Sequence, residues 1–153
     1  MTRFSTPMTE QQSDLLARAA AQCKVRGVML SAIRRDVLSL LAQHDNGLKA
    51  YDLLEEIKKQ RPNATPPTVY RALDFLVAQG FVHKLELLSQ FVVCRHTSHD
   101  LPGIYMVCSR CRSVSDLRDE HLAQRLAEIV RHAGHQLQSP DIEISTVCPS
   151  CLG

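Results

Sequence analysis

Two cysteine pairs bracket the C-terminal third of the chain: Cys108-Ser109-Arg110-Cys111 and Cys148-Pro149-Ser150-Cys151. Two intervening residues let both sulfurs of a pair reach one ion. Two pairs supply four thiolates, the ligand set of a closed tetrahedral zinc site. The stretch between the pairs carries a helix pattern and strand patterns. A metal there would staple the end of a small α/β unit to its start. A complete four-thiolate shell leaves no open coordination position, so this zinc is expected to be structural rather than catalytic. The competing readings are four unrelated thiols or a redox pair. Neither pair opens a helix after a strand, as a thioredoxin-like site would.

The compartment bears on that choice. Met1 to Pro7 holds no apolar stretch of the kind a secretory signal needs, so the expected location is the reducing cytoplasm. There, paired cysteines more often bind metal than form disulfides. No run reaches the roughly 18 apolar residues of a transmembrane helix, and no membrane partner is expected. With 153 residues, 44% apolar and 22% charged, the chain has the size and make-up of one ordinary globular domain or two small ones. It has no Trp and only 5% aromatic residues, so Leu, Val, Ile and Ala must build the core.

The elements change character midway. Residues 9–22 read as an amphipathic helix with Thr9 as N-cap. Ser31 is placed to cap a second helix running to about Gln43, with Ile33, Val37, Leu40 and Leu41 at helical spacing. A third spans 49–59, and a fourth starts near Pro67 and stops at Gly80. After that, 81–87 and 90–94 alternate loosely as strands around a tight Leu88-Ser89 turn. Helices followed by a β-hairpin give the layout of a winged helix. Residues 95–103 carry turn formers and no apolar period, as a hinge does. A strand at 104–107, a helix over 117–133 and strands at 136–137 and 142–147 follow. The expected fold is α+β. A winged-helix domain spans 1–95, a hinge 96–103, and an α/β domain closed by the four cysteines 104–153.

Charge is divided between these parts. Residues 1–80 hold 11 Lys/Arg against 8 Asp/Glu, and residues 81–153 hold 7 against 8. The window from Lys24 to Arg35 contains Lys24, Arg26, Arg34 and Arg35 and no acid. Such a patch attracts polyanions, although a solvated helix face reads the same way. On the fourth helix Val69, Leu73, Leu76 and Val77 share one face, and Thr68, Tyr70, Arg71 and Asp74 take the other. An Arg can make two hydrogen bonds to guanine and the hydroxyls can reach phosphates, which suits a helix in the major groove. Polar residues on an exposed helix face are also ordinary. A second group, His83, Cys94, His96, His99 and Asp116, gathers around the hairpin and hinge. His83 and Cys94 lie on neighbouring strands, within bridging reach across a hairpin. A shell of S, N and O donors suits zinc. Scattered surface histidines beside a buried cysteine remain the other reading of the same spacing.

Pro66-Pro67-Thr68-Val69-Tyr70-Arg71-Ala72-Leu73-Asp74-Phe75-Leu76, then Gly80-Phe81-Val82-His83-Lys84, then the two cysteine pairs, resemble the ferric uptake regulator (Fur) family, and within it the zinc-responsive members. Ala50-Tyr51-Asp52-Leu53-Leu54 matches as well, and the likeness covers roughly residues 14 to 151. The resemblance implies a homodimeric, zinc-responsive transcriptional repressor that controls zinc uptake genes. Its N-terminal winged helix would bind near-palindromic double-stranded operator DNA, and its C-terminal α/β domain would dimerise. It implies two zinc ions per protomer. The structural zinc would be held by Cys108, Cys111, Cys148 and Cys151, and a regulatory zinc by His83, Cys94, His99 and Asp116, with His96 as the alternative hinge ligand. DNA contacts would fall on Tyr51, Thr68, Tyr70 and Arg71, with Arg34 near the backbone. The family's usual Thr-Pro-Gln-Arg before the second helix is here Ser31-Ala32-Ile33-Arg34. Ala123 and Pro140-Asp141 stand where a third metal site of some relatives has ligands, so no third site is expected.

An iron- or peroxide-sensing member of the same family is the alternative. Cys94 argues against it, because iron sites of that type favour N and O ligands. A zinc enzyme would need an open coordination position and a general base in a pocket. No HExxH or nucleophile motif appears, so neither enzymatic activity nor a small-molecule substrate is expected.

Overall fold

The computed structural model describes residues 9–95, 101–138 and 141–153. Four helices come first: α1 (Glu10–Arg26), α2 (Ala32–Ala42), α3 (Ala50–Gln60) and α4 (Pro66–Ala78). A hairpin of β1 (Val82–Leu85) and β2 (Gln90–Val93) follows. Then come β3 (Gly103–Cys108), β4 (Val114–Asp116), α5 (Glu120–His132), β5 (Asp141–Thr146) and the short α6 (Pro149–Leu152). The fold is α+β, as the sequence predicts.

Local chemistry sets the helix ends. Thr9 and Gln12 form a reciprocal capping box, Gln12 N donating to Thr9 Oγ1 and Thr9 N to Gln12 Oε1. The helix runs one turn past the sequence expectation and closes on Gly27 at φ 71°, a left-handed cap that glycine adopts without strain. Pro66 and Pro67 occupy the first turn of α4, where a missing N–H costs nothing. The four helices pack around one apolar cluster that includes Leu16, Val37, Leu41, Leu53, Ile57, Val69, Leu73 and Leu76.

The hairpin is antiparallel, pairing Val82 with Val93 and Leu85 with Gln90. Its turn is four residues, 86–89, rather than the two-residue Leu88-Ser89 turn, and Ser89 takes φ 51° within it. Leu48, in the link between α2 and α3, pairs with Phe91 in a single antiparallel bridge. Gly47 beside it has φ 81°. A Cβ there would lie 2.4 Å from Phe91 O and 2.6 Å from Val92 Cγ1. Only glycine permits this approach.

In the second half β3 is central, with β4 antiparallel on one side and β5 parallel on the other. The parallel pair requires a crossover, and α5 provides it. The sequence did not mark β4 or α6, and residues 136–137 are not a strand. Each of the two missed elements is only three or four residues long, too short for its periodicity to show.

The hairpin joins the two halves because both its faces are covered. Val82, Phe91 and Val93 enter the helical core. Leu85 and Val92, on the opposite face, pack with Tyr105 of β3 and Val114 of β4 in a second cluster. Glu143 of β5 accepts hydrogen bonds from the backbone N–H groups of Glu86 and Leu87 at 2.8 and 3.0 Å. Asn46 Oδ1 accepts from Val114 N at 3.0 Å.

Candidate metal centres and nucleic-acid interface

Parallel pairing explains how cysteines distant in sequence meet. Cys108 ends β3 and lies level with Thr146 at the end of β5, and Ser109 N donates to Thr146 O at 2.9 Å. Both strands therefore release their cysteine pairs at the same edge of the sheet. The four sulfurs all lie within 4.8 Å of one another. Cys111 Sγ and Cys148 Sγ are 3.6 Å apart. A tetrahedron with Zn–S bonds of about 2.3 Å has edges of about 3.8 Å, so the spacing fits zinc. Cys108 is buried, and its sulfur accepts the N–H groups of Cys111 at 3.5 Å and Cys148 at 3.4 Å. Those backbone donors favour the thiolate and bring its pKa down to about 6. Hydrogen bonds with Ser113 and Cys148 lower Cys111 as well. Cys151 is pushed up to about 12, chiefly by its bonds to the Cys148 and Cys111 sulfurs. Four thiols crowded together cannot all ionise without a cation, and a divalent ion resolves that conflict.

The second group lies where the hairpin meets the sheet. His83 is 6% exposed, and its Nδ1 lies 2.5 Å from Asp141 Oδ2 at the start of β5. Burial opposes charge on the imidazole. The Asp141 carboxylate and the Cys94 sulfur outweigh it and raise the pKa to about 9. Cys94 is buried just beyond β2 and donates its backbone N–H to Phe81 O. The Tyr105 ring packs against His83 at 5.5 Å between centroids. Burial raises the Tyr105 phenol, and its neighbours Cys94, Asp141 and Asp116 raise it further. Asp116, on β4 opposite Tyr105, accepts from Arg118 Nε at 3.0 Å. His83, Cys94 and Asp116 thus border one junction without closing to the mutual spacing of the four cysteines. Among the described residues those four are the one set of three or more ligands gathered that closely. His96 and His99 lie outside the described residues.

Tyr105 at this junction was not singled out from the sequence, and Asp141 was noted only as standing where a third metal site of some relatives has a ligand. Asp141 alternates with Glu143 along a strand, so both carboxylates point toward the hairpin. Period two was a usable signal for that shared direction, though not for its target.

The polar face of α4 is open. Thr68, Tyr70, Arg71 and Asp74 are exposed, and Tyr70 and Tyr51 are 51% and 69% exposed. Thr65 and Thr68 share a hydroxyl contact of 3.0 Å at the helix start. Arg71 and Thr68 line an open groove of about 370 Å³ with Met29, Ser31, Ile33, Arg34 and Ala72. Arg34 is held within the fold, its guanidinium 3.7 Å from the Phe75 ring centre and bonded to Met29 O at 2.7 Å. Arg35, next to it, is exposed.

The profile of the Ferric uptake regulator family matches residues 25–145. The zinc uptake regulation protein of Escherichia coli (strain K12) is 37% identical over 145 residues, covering 91% of this chain and 82% of that protein. A solved zinc uptake regulator complexed with zinc and DNA superposes with a TM-score of 0.81 at 36% identity, covering 95% of this chain and 97% of the other. XcZur was solved in two forms. The holo form gives 0.77 at 37% identity, with 91% and 97% covered. The apo form gives 0.57 at 35% identity, with 95% and 100% covered. At nearly equal identity the arrangement of this chain resembles the holo form more closely.

Proposed function

The chain belongs to the ferric uptake regulator family, and from that premise we propose that it is a zinc-responsive transcriptional repressor acting in the cytoplasm on zinc uptake genes. It binds near-palindromic operator DNA as a homodimer when its regulatory zinc site is filled. The observation that carries this reading is the junction: a buried His83 and Cys94 from the hairpin stand against Tyr105, Asp116 and Asp141 of the sheet half.

The four-cysteine site holds a zinc that completes the sheet half and has no position open for a substrate. No enzymatic step belongs to this reading. The regulatory zinc is held by His83, Cys94 and Asp116, with His99 as the hinge ligand and His96 as its alternative. A thiolate with nitrogen and carboxylate donors favours zinc over harder cations. Bound there, the ion supplies a cross-link between a domain of residues 1–95 and one of residues 104–153, across a hinge at 96–103. The angle between recognition helix and sheet is then fixed. Two sheet halves pair in the dimer, and Leu122 and Ile129 on α5 with Ile144 on β5, all 41–51% exposed, supply apolar surface for that pairing. Two recognition helices at a fixed separation read half-sites about one helical turn (~34 Å) apart. Tyr51, Thr68, Tyr70 and Arg71 face the DNA, and Arg34 sits at its edge. Occupancy and operator binding must strengthen one another by the same factor.

The test is operator binding by purified protein titrated with zinc, iron or manganese, run beside Cys94→Ser. Zinc should stimulate binding by the wild type. Cys94→Ser should stay folded and dimeric, hold one zinc per protomer and lose the stimulation. Stimulation that survives in Cys94→Ser sinks the mechanism. Stimulation by iron in place of zinc would assign the chain to the iron-sensing branch.

A further inference from the structure

One junction residue has no part in the ligand set above. Asp141 opens β5, and its carboxylate meets His83 Nδ1 at 2.5 Å with both side chains almost wholly buried. The other ring nitrogen, His83 Nε2, is buried, and His83 pairs across the hairpin with Val92, so it shares its face with Cys94 two residues further on. An imidazole tied by one nitrogen to a carboxylate, with the second nitrogen buried on the same face as a thiol, is arranged as a metal ligand is. A carboxylate behind a ligating histidine fixes its tautomer and ring orientation and strengthens the ligating nitrogen as a donor.

We infer that Asp141 is a positioning residue for the regulatory zinc, holding His83 through Nδ1 so that Nε2 is the atom that binds the ion. The inference rests on the regulatory site proposed above. It adds a mechanical link that the ligands alone do not provide. Glu143, two residues along on the same side of β5, holds the backbone of Glu86 and Leu87 in the hairpin turn. The strand then ends two residues before Cys148. One strand thus carries the support for the regulatory ligand at its start and half of the four-cysteine site just past its end. β5 is hydrogen-bonded along its length to β3, which ends at Cys108. His83 is therefore oriented from a strand that the structural zinc holds in place.

The test uses full-length dimer with the four-cysteine site filled. Asp141→Asn, Asp141→Ala, Glu143→Gln and Cys94→Ser are compared by chelator competition for the second zinc and by thermal unfolding. Cobalt(II) is then added to the second site of each and its visible spectrum read. Asp141→Ala should weaken the second zinc about 10–100-fold, the usual range for losing such a support. Asp141→Asn, which keeps an acceptor without the charge, should weaken it less. Both should keep the unfolding midpoint and the Cys94-to-cobalt charge-transfer band, with the d–d bands displaced. Glu143→Gln should leave the affinity within about twofold of wild type, since it touches the hairpin but not His83. Wild-type affinity with unshifted d–d bands in Asp141→Ala overturns the inference. So does loss of a whole ligand from the cobalt centre, which would make Asp141 a direct ligand. If Cys94→Ser also keeps the second zinc at wild-type affinity, the regulatory-site reading itself has failed.

Discussion

Replacing Cys108 by serine should cost the protein its second half and spare its first. Cys108 is the most buried of the four cysteines, 1% exposed at the end of the central strand. Its sulfur collects two backbone N–H groups, one from each cysteine pair. Serine cannot replace a thiolate on zinc, and both pairs then lose their common partner. Structural zinc contributes about 10–16 kcal/mol of binding free energy that is also folding free energy. Among the described residues of 101–153, the large buried apolar side chains are Ile104, Tyr105 and Val107. At about 1.5–3 kcal/mol each, they supply less than the ion does. The helical half has its own cluster of twenty buried residues and none of the four cysteines. Cys108→Ser should therefore retain the far-ultraviolet helical signal of α1–α4, lose both the zinc and the dimer mass, and exchange amide hydrogens freely over 103–146. Hydrogen exchange by mass spectrometry with sedimentation and metal analysis would show this. A single cooperative unfolding transition at the wild-type midpoint, with dimer mass preserved, would refute the reasoning.

The arginines should separate by role. Arg71→Ala should cost about 1–3 kcal/mol on operator and little on random DNA if it reads a base, while Arg35→Ala should weaken both equally and lower the salt slope by about one unit. Arg34→Ala should also lower fold stability by about 0.5–1 kcal/mol through its lost contact with Phe75, which urea titration beside Arg35→Ala would reveal. Gly47→Ala should destabilise the helical half by about 1–2 kcal/mol from the left-handed backbone alone. The clash with Phe91 O adds to that and displaces the hairpin, and an unchanged urea midpoint would rule out that role for the glycine.

The first four helices were legible in the sequence because each buries one stripe and some carry clear punctuation, such as Thr9 on α1 and Pro67 on α4; the left-handed cap at Gly27 was missed. The four-cysteine site was legible because its spacing is itself the chemistry. The hairpin was legible only loosely, and its burial explains why. With helices on one face and the sheet on the other, Val82, His83, Leu85, Phe91, Val92 and Val93 are all buried, so strict alternation is lost. The proposed second site was legible only as a set of ligand-type residues. His83 comes from β1, Cys94 from just past β2, Asp116 from β4 and the supporting Asp141 from β5, and only tertiary packing brings them to one junction. Asp141 illustrates the limit: nothing near it in sequence says that its carboxylate meets a histidine 58 positions earlier.

The proposed division of labour between a structural and a regulatory zinc follows from how sparsely the halves touch among the described residues. Contacts that involve no ligand already favour the docked arrangement: Glu143 on the hairpin turn, Asn46 on Val114, and the cluster of Leu85, Val92, Tyr105 and Val114. Each hydrogen bond is worth about 0.5–1.5 kcal/mol net, so together they bias the equilibrium by a few kcal/mol. Moving a two-state equilibrium from 1:99 to 99:1 takes about 5.5 kcal/mol of differential affinity. A regulatory ion therefore needs to supply only part of its binding energy to the switch. Its ligands can remain exchangeable, whereas the four thiolates, which hold a poorly cored sheet together, cannot. A thicker apolar junction would dock the halves whatever the zinc level. The thin one leaves the decision to ligands contributed from both sides, and it gives a single carboxylate such as Asp141 leverage over the outcome.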